Sequence, residues 1–378
     1  MKNIKKIIQK TFKFIFYKIF ALFHGKIKGK INSDNDSRIK VETVKKDNNL
    51  KYKIFKITNG SLYTDRIHDA AIIVDNFIVE GPSFQLRREN NVKGNENNAQ
   101  VEKNIVFQKG TPRIKKFLNG RVLSLLTGGA GNDNYFHWLY DVLPRFALFE
   151  KVSDLNKVDF FLLPSTEKKF QKESLDLLNI SKSKIISSKS FRHIMCPELF
   201  ITEHPYVVTD NASIDIQNIP IWISKWLKDK YVKIKTINNL DFSKKIYIDR
   251  GDSSSNTKDL RMIINENEVK NFLINSGFTA IKLGNFHFKE QVKIFNNAEV
   301  VVGLHGGGFA NLCFCKKGTK VVELQNTIYG KVIENLAKAN DLIYKSVNCE
   351  FSEYKGYNQF GHINVSINLL KETIESLN

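Results

Sequence analysis

Blocks of apolar and polar residues succeed one another regularly from about residue 244 onward. The runs EVVVGL (299–304) and KVVEL (320–324) are almost wholly apolar, which is typical of strands buried on both faces. Between such runs, ENEVKNFLINSG (266–277) and FKEQVKIFNNA (288–298) space their apolar residues as an amphipathic helix does. This alternation predicts an α/β fold in which helices cover both faces of a parallel sheet.

The pattern before residue 244 is less regular. Short apolar runs such as AAIIVD (70–75) and DFFLLP (159–164) predict strands, and KKFQKESLDLL (168–178) predicts a helix. The polar segment 31–50 is typical of a linker, and the asparagine-rich segment 89–103 is typical of a surface loop. We therefore expect a basic segment (1–30), a linker (31–50), an N-terminal α/β domain (51–235), a C-terminal domain (236–350) and a C-terminal tail or helix (351–378) that packs back on the N-terminal domain.

Residues 1–30 have the spacing of an amphipathic helix. Several lysines lie opposite one broad face that carries Ile4, Ile7, Ile8, Ile15, Ile19 and Leu22. The apolar stretch is too short to span a bilayer, which takes about 20 apolar residues, and lysines interrupt it, unlike a signal peptide. It predicts a helix lying in the plane of an anionic membrane surface. A basic helix packed on its own protein or on a partner is the alternative, and nucleic-acid binding is a third.

The net charge of the chain limits the kinds of molecule that it would bind. The formal net charge of the 378-residue chain is +19, and residues 1–30 hold nine lysines and no acid. Such an excess indicates an anionic partner, which could be nucleic acid, a membrane surface or a phosphate-bearing substrate. No nucleic-acid-binding motif is present, although a non-catalytic binding protein stays an alternative. Four cysteines are too few for a disulfide framework in a chain of this length and indicate free thiols.

The sequence LHGGG (304–308) follows the apolar run 299–304. Ligands of parallel α/β sheets bind beyond the carboxyl ends of the strands. Glycines there allow a positive φ and a close approach of the backbone, and the next helix offers unpaired N–H groups to an anion. His305 could donate to a phosphate oxygen or lie buried against the backbone. Glu323, at the end of the next apolar run, could bind a ribose hydroxyl pair or be an exposed strand-end charge.

A second cluster occupies the segment GGAGNDNYFHWLYDVLPRF (128–146). On a helix, His137 and Asp141 share one face because they are four residues apart. Either the carboxylate orients the imidazole, or it serves as a base itself. Pro144 limits this helix to a short one, and two ligands support a metal site only weakly. An ordinary surface ion pair is the alternative. The cluster also contains Asn134, Trp138 and Arg145.

A third stretch, YIDRGDSSSNTKDLRMIINE (247–266), follows a predicted strand. Its Arg250 and Arg261 flank a polar loop. Guanidinium groups match the geometry of phosphate oxygens, but surface salt bridges explain such arginines equally well. We regard the tripeptide RGD at 250–252 as chance.

Taken together, three stretches resemble glycosyltransferase family 61, in its bacterial capsular-polysaccharide branch. They are NYFHWLYDVLPRF, YIDRGD…LRMIINE and VVGLHGGGFANLCFCKKGTKVVEL, which lie in the same order as the family's motifs within about residues 120–345. The resemblance implies a GT-B arrangement, with two Rossmann-like domains facing a cleft and the C-terminal one holding a nucleotide-sugar donor, commonly a UDP-sugar. The second stretch has Gly251 where the family often has an arginine.

The resemblance also implies roles for individual residues. The donor's diphosphate would meet His305 and the backbone of Gly306, Gly307 and Gly308, with Asn311 beside them. Glu323 would bind the ribose, while Arg250 and Arg261 would neutralise phosphate charge without an obligatory metal or other cofactor. Transfer would invert the anomeric centre, with Asp141 as the slightly favoured base, His137 as the other candidate and Asn134, Trp138 and Arg145 as acceptor-side or structural support.

The implied partners are a nucleotide-sugar donor, a capsule or lipopolysaccharide glycan that is often lipid-linked, and an anionic membrane surface. The implied location is the cytoplasmic face of a bacterial inner membrane, with the protein attached peripherally through residues 1–30. A transferase that uses another nucleotide-activated phosphorylated donor is an alternative within the same class.

Overall fold

The computed structural model describes residues 2–46, 50–64, 69–85, 101–126, 133–209, 211–234, 243–251, 261–353 and 361–377. The chain folds into two compact units. Unit 1 comprises Met1–Lys168 and Asn179–Asp215, and unit 2 comprises Lys169–Leu178 and Ile216–Asn378. The predicted surface loop 89–103 and the glycines at 128–132 lie mostly or wholly outside the described residues.

Unit 1 is built on a mixed sheet of eleven strands within the described residues. The strands are β1 (Gly29–Ile31), β2 (Ile39–Lys45), β3 (Lys51–Tyr63), β4 (Asp69–Val74), β5 (Phe77–Val79), β6 (Phe84–Gln85), β7 (Lys116–Phe117), β8 (Arg121–Ser124), β9 (Phe160–Leu163), β10 (Ile185–Ser187) and β11 (His193–Thr202).

The path through this sheet is β1-β5-β4-β3-β11-β8-β9-β10. The long strand β3 pairs antiparallel with β2, β4 and β11, whereas β11, β8, β9 and β10 run parallel to one another. Its antiparallel half therefore differs from the Rossmann-like domain that the family resemblance implies for this part of the chain. The difference arises because consecutive strands β2, β3 and β4 pair directly, without crossover helices.

Eleven α-helices lie in the described part of the chain. They are α1 (Lys2–His24), α2 (Val106–Lys109), α3 (Tyr135–His137), α4 (Pro144–Phe149), α5 (Lys169–Leu177), α6 (Ala212–Asp215), α7 (Ile221–Tyr231), α8 (Glu266–Asn275), α9 (Phe288–Asn297), α10 (Val332–Ala339) and α11 (Ile367–Glu375). None of the helices described is both long enough and apolar enough to cross a bilayer. Along α1 most large apolar side chains are exposed, and Leu22 is 85% exposed.

Unit 2 contains a five-stranded parallel sheet. Its strands are β12 (Lys245–Ile248), β13 (Thr279–Ile281), β14 (Val300–Leu304), β15 (Lys320–Gln325) and β16 (Ile343–Asn348), in the order β13-β12-β14-β15-β16. Helices α8, α9 and α10 connect successive strands, so the predicted alternation and parallel pairing are confirmed. A separate antiparallel pair, β17 (Glu350–Glu353) and β18 (His362–Asn364), follows the sheet.

Both faces of the unit 2 sheet are buried. Val302 and Leu304 of β14 pack in a cluster with Val269 and Leu273 of α8. The opposite face carries Gly303, where a Cβ would lie 3.2 Å from the ring of Phe309. Alternate residues of β14 thus face two different layers, which explains why this strand is apolar throughout.

The structure changes three of the expected boundaries. Residues 39–45, expected in a linker, form β2, because the apolar side chains of Ile39 and Val44 are buried against the sheet. Helices α5 and α7, both expected in the N-terminal domain, belong to unit 2, where the ring of Tyr231 in α7 lies 4.9 Å from that of Phe288. Helix α11 also packs within unit 2 rather than on the N-terminal domain, because Leu370 joins the core beside α8 and β16.

Candidate functional site

Unit 2 has a cavity at the carboxyl ends of β12 and β14. The chain runs from β12 to β13 on one side and then returns to place β14 on the other, so the order of strands reverses between β12 and β14. Parallel sheets bind ligands at such a switch point. The cavity has a volume of about 210 Å³ and is lined by Tyr247, Arg250, Gly251, Arg261, Met262, Ile263, Glu266 and Leu304.

Beside β14 lies a hydrogen-bonded group that we call the His305 cluster, comprising the buried His305 and Glu323 and the partly buried Tyr344. The Nδ1 atom of His305 bonds to Oε1 of Glu323, and the hydroxyl of Tyr344 donates to Oε2 of the same carboxylate. The Glu323 residue is 0% exposed and His305 is 9% exposed. Because both carboxylate oxygens are engaged inside the protein, Glu323 is placed to orient His305. It is not the exposed strand-end charge that was the alternative.

The glycines after His305 allow neighbouring side chains to approach the backbone closely. Gly306 has a φ of 164°, which is extended backbone, and the triplet does not appear among the glycines with left-handed φ values. The expected use of positive φ is therefore wrong. A Cβ on Gly306 would lie 3.3 Å from Nη1 of Arg250, and one on Gly308 would lie 3.0 Å from Ile248. The missing side chains make room for a guanidinium and for the sheet.

Two arginines converge on this corner of unit 2. Nη1 of Arg250 donates to the backbone oxygen of His305 over 3.3 Å. The guanidinium of Arg261 lies 4.3 Å from the centre of the Tyr329 ring, and its Nη1 is buried without a hydrogen-bond partner among the residues that the structure describes. Burial and the neighbouring charge of Arg250 lower the pKa of Arg261 to about 10. An anion would supply both the missing acceptor and the missing countercharge.

The same charges act on His305. Burial lowers the pKa of this imidazole, and Arg261 and Arg250 lower it further, while the Glu323 carboxylate acts in the opposite direction. Nδ1 faces Glu323, and Nε2 has no hydrogen-bond partner among the described residues. An anion bound beside Nε2 would favour the protonated imidazole, so binding of that anion is coupled to proton uptake.

Asn311 is fully buried within the 3₁₀-helix Gly307–Phe314. Its amide nitrogen donates to the backbone oxygen of Gly308 over 3.3 Å and lies 3.4 Å from Oε1 of Gln291. The side chain therefore braces the glycine segment from within, so a donor would meet its effect through Gly308.

Unit 1 contains a second group with the same hydrogen-bonding pattern, which we call the His137 cluster. Nδ1 of His137 lies 2.8 Å from Oδ2 of Asp141, and the hydroxyl of Tyr206 donates to Oδ1 of Asp141 over 2.8 Å. Asp141 is 1% exposed and His137 is 7% exposed. The predicted shared face of residues 137 and 141 is confirmed, and the alternative of a surface ion pair is wrong because both side chains are buried.

Local backbone geometry holds this cluster in place. Asn134 caps the short helix α3 by accepting from the backbone N–H of Phe136 over 2.9 Å. A π-helix, Trp138–Val142, follows directly and carries Asp141. Helix α3 is short, as predicted, and Pro144 begins the next α-helix, α4. A proline is tolerated in a first turn because the N–H that it lacks has no partner there.

Asp141 is ionised in these surroundings. Burial opposes its ionisation, but the charge and hydrogen bond of His137, followed by His204 and the Tyr206 hydroxyl, outweigh burial and lower the pKa of the carboxyl. An anionic Asp141 fixes the proton of His137 on Nδ1, which leaves the lone pair of Nε2 as the basic site. Nε2 has no hydrogen-bond partner among the described residues.

Arg145 and Trp138 are parts of the core around this cluster. Nε of Arg145 donates to the backbone oxygen of Asp141 over 3.0 Å, and its Nη1 donates to the backbone oxygen of Thr202 over 2.9 Å. Trp138 is fully buried. Arg145 thus links the π-helix to β11, and both side chains are buried away from a substrate.

Several residues of the two clusters escaped sequence reasoning. Tyr206 and Tyr344 lie 65 and 21 residues from the carboxylates that they contact, a separation that no local pattern reveals. Tyr247, Tyr329 and Glu266 also lie in or beside the cavity. A signal for Glu266 was present in the sequence, since this residue ends the stretch LRMIINE and begins a predicted helix.

Part of the chain resembles a known protein family in sequence. The family model described as Glycosyltransferase 61 matches residues 135–322. This match supports glycosyltransferase family 61, as the resemblance of the three stretches implies. The matched segment includes His137, Asp141, Arg250, Arg261 and His305. It ends one residue before Glu323.

Two curated relatives carry the same indication. The chain is 30% identical over 91 residues to the EGF domain-specific O-linked N-acetylglucosamine transferase of Gallus gallus, covering 23% of this chain and 17% of that protein. It is 28% identical over 105 residues to the protein of the same name from Canis lupus familiaris, covering 26% of this chain and 20% of that protein. The chain thus matches at most a fifth of their length. The family match and these similarities support a glycosyltransferase and leave the bacterial branch unconfirmed.

Proposed function

We propose that the protein is an inverting glycosyltransferase that moves a sugar from a nucleotide-sugar donor, commonly a UDP-sugar in this family, to a hydroxyl of a glycan. The observation that carries the proposal is the cavity at the β12/β14 switch point, where Arg250 and Arg261 meet and the buried Nη1 of Arg261 has no partner among the described residues. The leaving group of such a donor is a nucleoside diphosphate, and two guanidiniums suit its charge.

Unit 2 is assigned to the donor. As the bond between the anomeric carbon and the diphosphate breaks, negative charge builds up on the leaving oxygen. Arg250, Arg261 and a protonated His305 would stabilise that charge, and the proposal includes no obligatory metal or other cofactor. Glu323 and Tyr344 hold His305 so that its Nε2 points away from the carboxylate.

Unit 1 is assigned to the acceptor. In an inverting transfer, a base takes the proton of the acceptor hydroxyl while its oxygen attacks the anomeric carbon. We assign this base to Nε2 of His137. Asp141, the candidate that sequence alone slightly favours, is buried with one oxygen on His137 and the other on Tyr206. It therefore serves to orient the imidazole and to stabilise its protonated form. A GT-B arrangement of the two units is part of the proposal.

The N-terminal helix supports our proposals for the acceptor and for the cellular location. Exposed apolar side chains of α1, including Ile4, Ile8, Ile15 and Leu22, fit the hydrocarbon edge of a bilayer, and its lysines fit anionic headgroups. We propose peripheral attachment at the cytoplasmic face of a bacterial inner membrane, beside a lipid-linked capsule or lipopolysaccharide glycan. The N-acetylglucosamine named for the two relatives is one donor sugar to test.

The test is a panel of nucleotide sugars incubated with the full chain, in which water takes the place of the acceptor hydroxyl and release of free nucleotide is the readout. Only donors that fit should yield nucleotide, and the matching nucleoside diphosphate should raise the melting temperature of the protein. If no nucleotide sugar is consumed and no nucleoside diphosphate raises the melting temperature, the protein is not a nucleotide-sugar-dependent transferase.

Membrane attachment has its own test. The full chain should sediment with vesicles that contain anionic phospholipid, and much less with vesicles of neutral phosphatidylcholine, whereas a chain lacking residues 1–30 should stay in the supernatant with both. Equal sedimentation of the two chains would remove residues 1–30 from membrane binding.

A further inference from the structure

The carboxylate that the family resemblance assigns to ligand hydroxyls has no access to a ligand. Glu323 is 0% exposed, and its two oxygens are held by His305 and by Tyr344. A ligand hydroxyl could reach it only by displacing one of these partners. The cavity must therefore take hydroxyl groups elsewhere, if its ligand carries any.

Glu266 is a second carboxylate and it lines the cavity itself, together with Arg250 and Arg261. It is the first residue of α8 and is partly buried. The hydroxyl of Tyr247, also in the cavity wall, donates to its Oε1 over 3.3 Å, and Oε2 has no hydrogen-bond partner among the described residues. Glu266 thus offers an unused acceptor next to two cations.

Asp249, a neighbouring carboxylate, differs from Glu266 in having both oxygens engaged within the protein. Asp249, at the end of β12, is committed within the protein, because Nζ of Lys270 lies 2.6 Å from its Oδ2 and the N–H of Gly251 donates to its Oδ1 over 2.8 Å. Burial and the charge of Asp249 raise the pKa of Glu266. A carboxyl group next to bound phosphate is unfavourable on charge alone, so its place in this wall calls for a partner that donates hydrogen bonds.

We propose that Glu266 accepts hydrogen bonds from hydroxyl groups of the phosphate-bearing ligand whose charge Arg250 and Arg261 neutralise. Sugar hydroxyls next to a phosphate have this combination of donor and anion, and both the ribose of a nucleotide and the transferred sugar carry them. The inference rests on the proposed function, since it takes the ligand of this cavity to be a sugar phosphate. Tyr247 would position Glu266 by donating to Oε1.

The experiment compares Glu266→Gln with the wild-type protein by calorimetric titration of UDP, GDP, UDP-N-acetylglucosamine, 2′,3′-dideoxy-UDP and inorganic pyrophosphate. The variant should bind the nucleoside diphosphates or the nucleotide sugar about tenfold more weakly, the loss expected for a hydrogen bond to a charged acceptor. Pyrophosphate has no sugar hydroxyl, so its affinity should stay equal or rise as a negative charge is removed. Glu268→Gln, on the exposed side of the same helix turn, is the matched control and should change nothing.

Comparison of these ligands shows whether Glu266 binds a hydroxyl of the ribose or one of the transferred sugar. If the ribose is bound, 2′,3′-dideoxy-UDP should bind the wild-type protein about tenfold more weakly than UDP and should lose nothing further in Glu266→Gln. If the transferred sugar is bound, only UDP-N-acetylglucosamine should weaken. Equal weakening of nucleotides and pyrophosphate, or no change in any, would overturn the role of Glu266 alone. If none of the five binds the wild-type protein, the proposed function fails first.

Discussion

The His137 cluster of unit 1 and the His305 cluster of unit 2 share one hydrogen-bonding pattern and differ in how the chain builds it. In both, a buried carboxylate accepts from a tyrosine hydroxyl and bonds to Nδ1 of a histidine. In unit 1 the carboxylate comes from the next helical turn, four residues on. In unit 2 it comes from the neighbouring strand, 18 residues on. The same device thus arises from a helix and from a parallel sheet.

Their surroundings set them apart. His305 lies within the electrostatic reach of Arg250 and Arg261, which lower its pKa and prepare the site for an anion. The His137 cluster also has an arginine nearby, but Arg145 is fully buried and donates to the backbone oxygens of Asp141 and Thr202, so it is committed within the protein. We therefore expect one imidazole to act as a base in transfer and the other as an anion-stabilising group. The predictions that follow separate these two roles.

The largest effect is expected from Asp141→Asn. An asparagine amide can donate to Nδ1 of His137, which would move the imidazole proton to Nε2 and abolish the basic site. Turnover should fall by about a hundredfold or more, with donor affinity nearly unchanged. Steady-state rates and calorimetric donor affinities check this. A collapse of donor affinity instead would place Asp141 in the donor site and contradict the assignment.

His305→Ala tests the His305 cluster of unit 2, to which we assign donor binding. Removing the imidazole should weaken donor binding by about tenfold and lower turnover, because a charge-assisted hydrogen bond to phosphate is lost. The fold should survive, as judged by circular dichroism and melting temperature. Undiminished affinity and activity in a folded variant would remove His305 from the site.

Substitution of Tyr206 or Tyr344 should have smaller effects, one mainly on kcat and the other mainly on donor affinity. Tyr206→Phe removes one hydrogen bond to Asp141 and should lower kcat several-fold without changing donor affinity. Tyr344→Phe removes the matching bond to Glu323 and should weaken donor affinity several-fold, with a smaller effect on kcat. The two variants control for each other, since a merely structural role would move both parameters alike.

Acid stability should show the smallest difference. The pKa of Asp141 is lower in the folded protein than in the unfolded chain, so its contribution to stability is complete above the unfolded value, about 3.9, and is lost as the pH falls through the folded value. The free energy of unfolding of the wild-type protein should therefore decline more steeply below about pH 4 than that of Asp141→Asn. Parallel curves from denaturant titrations would contradict the ionised pair.

The two clusters also show how far sequence reasoning reaches. Helical spacing brought His137 and Asp141 together correctly, because a contact four residues apart is local. The parallel sheet of unit 2 followed from its apolar runs. The contact between His305 and Glu323 depends on the register of β14 against β15, which sets residue 303 opposite residue 323. The sequence singles out both residues but assigns them to different groups of the donor, the diphosphate and the ribose, because neither apolar run reveals the register between the two strands.

Long-range pairing explains the remaining differences. The antiparallel half of the unit 1 sheet depends on β3 meeting β11 over nine paired positions, more than a hundred residues apart. The polar composition of residues 31–50 hid β2, since only two side chains of this strand, Ile39 and Val44, are buried. For the glycine triplet the sequence predicts both a positive φ and a close approach, and only the close approach, to Arg250 and Ile248, is found.

The most direct test of this division of roles is a calorimetric titration of UDP into the wild-type protein, Arg261→Met and His137→Ala, side by side. Methionine keeps the volume of the arginine stem and removes its charge. We expect Arg261→Met to bind UDP at least about tenfold more weakly than the wild-type protein and His137→Ala to bind it as the wild-type protein does. Equal losses in both variants, or full affinity in Arg261→Met, would contradict a donor site in unit 2 and a base in unit 1.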